Sequence, residues 1–277
     1  RCAAGNVVHL KSMINASVHR RRIDHVPLFG DPCAMTDTAR PIGSGTVTLA
    51  VADGVATITL NRPEVLHAFN PAMGVDLLEA IMSADGDPAA RAVLLTGAGR
   101  AFMAGGDLSH LHDAKGAERP HRANQLVAAF HEIVLAMARL SKPIIAGVNG
   151  VAAGAGVSLA MACDLVVMAA EAKLVMAYTG IGTSPDGGST FVLPRLIGPK
   201  LAMEMLLLNE PVDAETARAW GLVNRIVPAA DVPAEAAKLA AKLAAGRSWH
   251  RAAPMISMLV LAPSLPSASP SMKAGEL

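Results

Sequence analysis

The chain has 277 residues and a formal net charge of +1, so neither a nucleic-acid nor an anionic membrane-surface partner is indicated. Hydrophobic residues make up 52% and aromatics 3%, so a core must be assembled from Ala, Val, Leu, Ile and Met, and no apolar run approaches the ~18–20 residues of a membrane span. Cys2, Cys33 and Cys163 are scattered, with no C-x-x-C, which argues against a disulfide framework and for a reducing, cytoplasmic setting.

Residues 1–45 differ from the rest, with a basic cluster at Arg20, Arg21 and Arg22 and Pro, Gly and Asp punctuating the segment to Gly45. They read as an N-terminal extension. A long apolar stretch is lacking, so a secretory signal is not expected. Thr46–Val51 and Val55–Asn61 cluster β-branched residues around Asp53-Gly54, which predicts a hairpin with a two-residue turn. Asn70 and Pro71 predict a helix start, and Met73, Leu77, Leu78 and Ile81 its apolar face. His67 stands alone and reads as structural or exposed.

Ala92–Leu95 predicts a buried strand, followed by Thr96-Gly97-Ala98-Gly99-Arg100-Ala101-Phe102-Met103-Ala104-Gly105-Gly106-Asp107-Leu108. So many small residues either make a plain tight turn or let a ligand reach the backbone, where free N–H groups can meet an anionic oxygen. His110, His112 and Asp113 lack further ligands and read as a solvated loop or helix, so no metal is expected. Leu126, Phe130, Ile133, Met137 and Leu140 mark an amphipathic helix. A strand at Pro143–Val148 runs into Asn149-Gly150-Val151-Ala152-Ala153-Gly154-Ala155-Gly156 and an Ala-rich helix, whose start near Ala155 exposes unpaired N–H groups. Two such loops facing each other would make a two-donor oxyanion hole.

Further on, Leu165–Met168 and Lys173–Val175 predict short strands. Helices are predicted at Leu201–Leu208, from an Asp213 cap to Trp220-Gly221, and from an Asp231 cap to Gly246. Pro254, Pro263, Pro266 and Pro270 among serines then argue against long helices. Gly156-Val157-Ser158-Leu159-Ala160 imitates a serine-hydrolase elbow, but Ser158 falls inside a helix and the one downstream histidine is His250. No G-x-G-x-x-G opens a helix after a strand, so a dinucleotide site has no support.

The two glycine loops, with Ile58-Thr59-Leu60-Asn61-Arg62-Pro63 upstream and in that order, resemble the crotonase (enoyl-CoA hydratase/isomerase) superfamily from about Thr46 to Pro228. The resemblance implies an α/β fold: a repeated ββα spiral core over residues 46–228 and a small helical region over 229–277, with an atypical Pro/Ser-rich tail. It implies an acyl-CoA thioester as substrate, coenzyme A as part of that substrate with no separate cofactor, and assembly as a homotrimer or dimer of trimers. Met35 would be an ordinary start for a member, which makes residues 1–34 an upstream extension, a mis-assigned start or a targeting peptide.

By the same resemblance the amides of Gly106 and Ala155 hold the thioester oxygen. Losing one such donor typically costs about 3–4 kcal/mol of barrier. Val65, Leu66 and Ala68 would wrap the adenine and ribose of coenzyme A, and Ala104, Gly105, Asp107, Leu108 and Tyr178 would contact substrate. Family hydratases use two glutamates, whose positions fall at Ser158 and Tyr178. Neither a serine hydroxyl nor a phenol of pKa ~10 activates water well, so hydration is not expected. Asp186, in Ser184-Pro185-Asp186-Gly187-Gly188, falls where PaaG-type Δ3,Δ2-enoyl-CoA isomerases keep an aspartate that shuttles the proton. The 4-chlorobenzoyl-CoA dehalogenases place a nucleophilic aspartate there. Ile181, Phe191 and Val192 could raise its pKa. Two alternatives stay open: Asp186 caps a helix starting at Gly187, or the chain is a non-catalytic acyl-CoA binder.

Overall fold

The computed structural model describes residues 39–246 apart from 113, 115 and 117. Strands β2 (Val47–Ala52) and β3 (Val55–Leu60) form the hairpin expected at Asp53-Gly54. Both turn residues carry positive φ, 49° and 80°, as a two-residue turn between twisted strands demands. A short edge strand, β1 (Arg40–Ile42), pairs antiparallel with β2. The extension expected through residue 45 is therefore corrected: part of it is already in the sheet. Three residues containing Pro41 are too few to show an alternating pattern, and the proline fits only because the strand is at an edge.

From here the chain repeats one unit. β4 (Ala92–Gly97), β6 (Ile144–Val148) and β8 (Leu165–Ala169) add in turn, all parallel, to a large sheet of order β1-β2-β3-β4-β6-β8-β11, with β11 (Arg225–Val227) at its far edge. Each of the three is followed by a short strand: β5 (Ala101–Met103), β7 (Val151–Ala153) and β9 (Lys173–Val175). These pair parallel in a second sheet, edged by β10 (Val212–Asp213). Helices α1 (Pro71–Gly86), α3 (Glu118–Arg139), α4 (Ala155–Met161) and α5 (Ser189–Leu208) follow β3, β5, β7 and β9, with the single turn α2 (Leu108–His112) ahead of α3. This is the expected ββα repeat. Each repeat advances one place in both sheets, so the ends of β5, β7 and β9 stand side by side.

The large sheet is covered on both faces, which is why its parallel strands read as continuous apolar runs. In β4, Val93 and Leu95 join the main core with Phe102, Ile133 and Ile144, whereas Ala92 and Leu94 pack against Ala236, Leu239 and Ala240 of α7 (Val232–Ala245). The helical region expected from residue 229 thus starts as a layer of the core. Asn70 caps α1 by accepting from Met73 N at 2.9 Å, and Asp213 caps α6 (Ala214–Trp220) through Thr216 N at 2.8 Å. Asp231 makes no such bond: it ends a 3-10 turn in helical backbone, and Pro233 leaves the next turn one donor short.

α5 has 20 residues, well over twice the apolar run expected at Leu201–Leu208. It starts at Ser189 and kinks at Gly198 (φ 80°, ψ 160°), between Pro194 and Pro199. Among the described residues, no helix is long and apolar enough to cross a membrane. The Arg20–Arg22 cluster, Cys2, Cys33, His250 and the proline-rich tail lie outside the described residues.

Candidate active site

The repeat brings three chain segments to one end of the small sheet. After β5 come Ala104-Gly105-Gly106, after β7 Gly154-Ala155, and after β9 Met176-Ala177-Tyr178. The first two touch: a Cβ added to Gly105, whose φ is +98°, would lie 3.1 Å from Ala153 O and 3.9 Å from Ala155 N. Gly154 (φ 51°, ψ −117°) adopts a backbone that other residues avoid, and its N–H donates to Val175 O at 2.8 Å, fixing the second segment to the third.

Two amides are left over. Gly106 sits in a parallel bridge with Phe69, in which Phe69 N donates to Gly105 O (2.7 Å) and Asp107 N to Phe69 O (2.8 Å). That pattern turns the N–H of Gly106 itself away from Phe69. Ala155 is the first residue of α4, where an amide has no partner within the helix. Among the described residues neither N–H donates to any acceptor, and both residues line one cavity of about 840 Å³. An oxygen taken up between them could accept two hydrogen bonds that cost no rearrangement.

Of the remaining residues singled out in the sequence, Ala104, Gly105, Leu108, Tyr178 and Asp186 line that cavity. Tyr178 OH donates to Asp186 Oδ1 at 2.6 Å. Burial, opposed by this hydrogen bond and by nearby His131, leaves the half-buried Asp186 carboxyl above its ordinary value. Burial and then the adjacent Asp186 charge push the Tyr178 phenol up, so it stays protonated. Asp186 does not cap a helix through its carboxylate: α5 starts at Ser189, and the carboxylate instead faces Tyr178. Ile181 lines the cavity, but Phe191 and Val192 do not. Phe191 lies 38% exposed beneath Arg195.

Four expected substrate contacts do not reach the cavity. Asp107 is instead taken up by its neighbours, salt-bridged to Arg62 at 3.0 Å and accepting from Ser109 Oγ at 2.5 Å. Burial would push its carboxyl up, yet Ser109 and Arg62 hold it below its ordinary value. Val65, Leu66 and Ala68 lie in the neighbouring loop and are absent from the cavity wall. Leu66 O accepts from Ala104 N at 2.9 Å, and Ala68 O accepts from Arg62, so this loop props the glycine loop from outside. His67 is structural: fully buried, it accepts from Arg62 N at Nδ1 (2.9 Å), and its Nε2 lies 2.7 Å from Ala98 O. Burial holds its pKa below the ordinary value, so the ring is neutral and Nε2 donates.

Ser158 lies within α4, 2% exposed, with Tyr178 OH at 3.3 Å and Asp186 O at 3.2 Å. No histidine bonds to it among the described residues, which removes the elbow reading. His110 and His112 lie on α2, and no group of three His, Cys, Asp or Glu among the described residues is placed to hold a metal ion.

One residue escaped the sequence. His131 of α3 lines the cavity, and its Nε2 accepts from Gly187 N at 3.3 Å. It adjoins Phe130 on the stripe Leu126, Val127, Phe130, Val134 and Leu135, which walls the cavity one step round from the core face. The core periodicity masks it. A search for a second stripe containing one polar residue would have found it.

Comparison with known proteins identifies the family. The family model described as enoyl-CoA hydratase/isomerase matches residues 50–260. The chain is 41% identical to the 1,2-epoxyphenylacetyl-CoA isomerase of Escherichia coli (strain K12) over 194 residues, 70% of this chain and 74% of that protein. It is 36% identical to a 4-chlorobenzoyl coenzyme A dehalogenase of Arthrobacter sp over 70% of each chain. The crystal structure of an enoyl-CoA hydratase from Polaromonas sp. JS666 superposes with a TM-score of 0.71 at 36% identity, covering 78% of this chain and 82% of that one. With the repeated ββα core and the two glycine segments already in place, these matches make the chain a member of the enoyl-CoA hydratase/isomerase family, the crotonases, and an enzyme that processes acyl-CoA.

Proposed function

We propose that the protein shifts a carbon–carbon double bond of an enoyl-CoA, with the Gly106 and Ala155 amides holding the thioester oxygen and Asp186 moving the proton. The observation that carries this reading is a half-buried carboxylate sharing one cavity with two unpaired amides. The carboxylate takes a proton from one carbon of the acyl chain, the electrons of that C–H bond pass into the enolate, and the same proton returns to a carbon two places along. One base suffices. Hydration needs an activated water, and Ser158 and Tyr178 supply no second carboxylate.

Coenzyme A enters as part of the substrate, with its adenine end toward the Val65–Ala68 loop. Met203, Leu207 and Leu208 of α5, each more than half exposed, are suited to burial in the homotrimer or dimer of trimers expected from the family.

The test is turnover of a 3-enoyl-CoA to the 2-enoyl isomer. Wild type should isomerise and not hydrate, and Asp186→Asn should lose about 10²–10⁴-fold in kcat while still binding acyl-CoA. Binding without turnover by either would make the chain a non-catalytic acyl-CoA binder. A second reading, nucleophilic use of the same carboxylate, is favoured by His131, an imidazole on the same cavity that could activate water against an ester at Asp186. Halide release from a haloaroyl-CoA, lost in both Asp186→Asn and His131→Gln, would select that reading.

A further inference from the structure

Ser158 and Tyr178 do more than fail to be glutamates. Both are buried, at 2% and 6% exposure, and both are spent on Asp186. Tyr178 gives its one proton to Asp186 Oδ1 at 2.6 Å, the ordinary length of a charge-assisted bond from a hydroxyl to a carboxylate. Ser158 Oγ lies 3.3 Å from the phenol oxygen and 3.2 Å from Asp186 O, so its one proton backs either the tyrosine or the aspartate carbonyl. That carbonyl also accepts from Ser189 N (3.1 Å) and Ser189 Oγ (2.8 Å), and the next peptide is held by Gly187 N donating to His131. The backbone and Oδ1 of Asp186 are thus fixed. Among the described residues, no donor reaches Oδ2.

Building on the reading of Asp186 as the proton shuttle, we propose that Tyr178, backed by Ser158, is a positioning residue that pins Oδ1 and leaves Oδ2 as the oxygen that takes and returns the proton. The phenol never ionises in this role: it holds its own proton throughout, and the travelling proton moves only between carbon and Oδ2. The ionisable groups facing Asp186 are Tyr178 and, from α3, His131. A donor on Oδ1 stabilises the ionised carboxylate, so it also sets the pH at which the base becomes available.

The experiment follows Asp186 directly, by carbon-13 NMR of protein labelled at the aspartate side-chain carboxyl, with Asp186→Asn assigning the resonance. In Tyr178→Phe the ring stays on the cavity wall and only the hydroxyl goes. The titration midpoint of Asp186 should rise by about one pH unit. On a 3-enoyl-CoA, kcat should fall about tenfold with KM little changed, and the low-pH limb should move up with the midpoint. Ser158→Ala keeps the phenol and should move the midpoint the same way by less, because it removes only the group that polarises the donor. An Asp186 midpoint identical in wild type and Tyr178→Phe, or in wild type and Ser158→Ala should the first variant not fold, overturns the proposal. Asp186→Asn separates the two levels: wild-type turnover in that variant sinks the shuttle itself, whereas an inactive Asp186→Asn beside an unaltered Tyr178→Phe sinks only the positioning role.

Discussion

Burial raises the Asp186 carboxyl above its ordinary value, and that has a consequence for stability as well as for chemistry. A group that binds its proton more tightly in the folded than in the unfolded chain favours folding at low pH. The folded state then loses ground as pH rises from the ordinary aspartate value to the raised one, because ionising the buried group costs more than ionising it in water. Asn keeps an acceptor for Tyr178 OH and removes the charge. Asp186→Asn is therefore expected to melt at the same temperature as wild type at acid pH. It should melt higher once pH passes through that window, while being catalytically dead. Thermal melts of both proteins from pH 4 to 8 check it. A wild type more stable than the variant at neutral pH contradicts the sign. His67 works the other way: its pKa is lowered by burial, so its contribution is complete above about 6.5 and declines as pH falls below that value.

At the scale of elements, the glycines show how closely the segments of the site approach. A Cβ on Gly156 would lie 2.1 Å from Met103 O, a backbone atom of β5 that cannot step aside. Gly156→Ala should separate α4 from β5 and cost about 3 kcal/mol, read as a lower urea midpoint at unchanged slope. On Gly187 (φ +58°) a Cβ would lie 2.3 Å from Phe130 Cε1 and 2.8 Å from Ser158 Cβ. Gly187→Ala should shift the Asp186 loop and lower kcat by about 100-fold, the effect of misplacing a base by an ångström or so, checked in the isomerase assay. The same scale explains what could be read in advance. The Asp53-Gly54 turn, the Asn70 and Asp213 caps and the apolar stripes of α1 and α3 are local, each fixed by residues within a turn or two. The first half of α5 was illegible because Pro194 and Gly198 break its pattern while tertiary packing keeps it helical. The Tyr178–Asp186 bond was illegible because it depends on where a loop returns after eight residues. For Val65, Leu66 and Ala68 the family pattern gives only a position in the chain, and what joins that position to the glycine loop, Leu66 O accepting from Ala104 N, is a tertiary contact that no local pattern signals.

The whole molecule separates what holds the fold from what lines the cavity, and Asp76 tests that separation. It sits on the buried side of α1, 2% exposed, and its two oxygens take four hydrogen bonds: from Ser44 N (3.1 Å), Ser44 Oγ (2.7 Å), Thr46 N (3.0 Å) and Thr46 Oγ1 (2.7 Å). These bonds tie the β1–β2 turn to the first helix, at the opposite end of the strand order from β8 and β11 and with no member in the cavity wall. Truncating the carboxylate leaves two backbone and two hydroxyl donors without their acceptor, in a place where water replaces it only partly. Asp76→Ala should therefore cost about 2–4 kcal/mol. Ser44→Ala and Thr46→Ala each remove one hydroxyl donor but leave the acceptor filled by the amides, so each should cost about 1 kcal/mol. In all three, kcat and KM per folded molecule should match wild type at a temperature well below the melt, because nothing that reaches the cavity has moved. Urea unfolding gives the first quantity and the isomerase assay the second. A large kcat loss in Asp76→Ala at full folding would mean that the hairpin and the glycine segments are coupled through the sheet, and that the spiral carries strain from one repeat to the next.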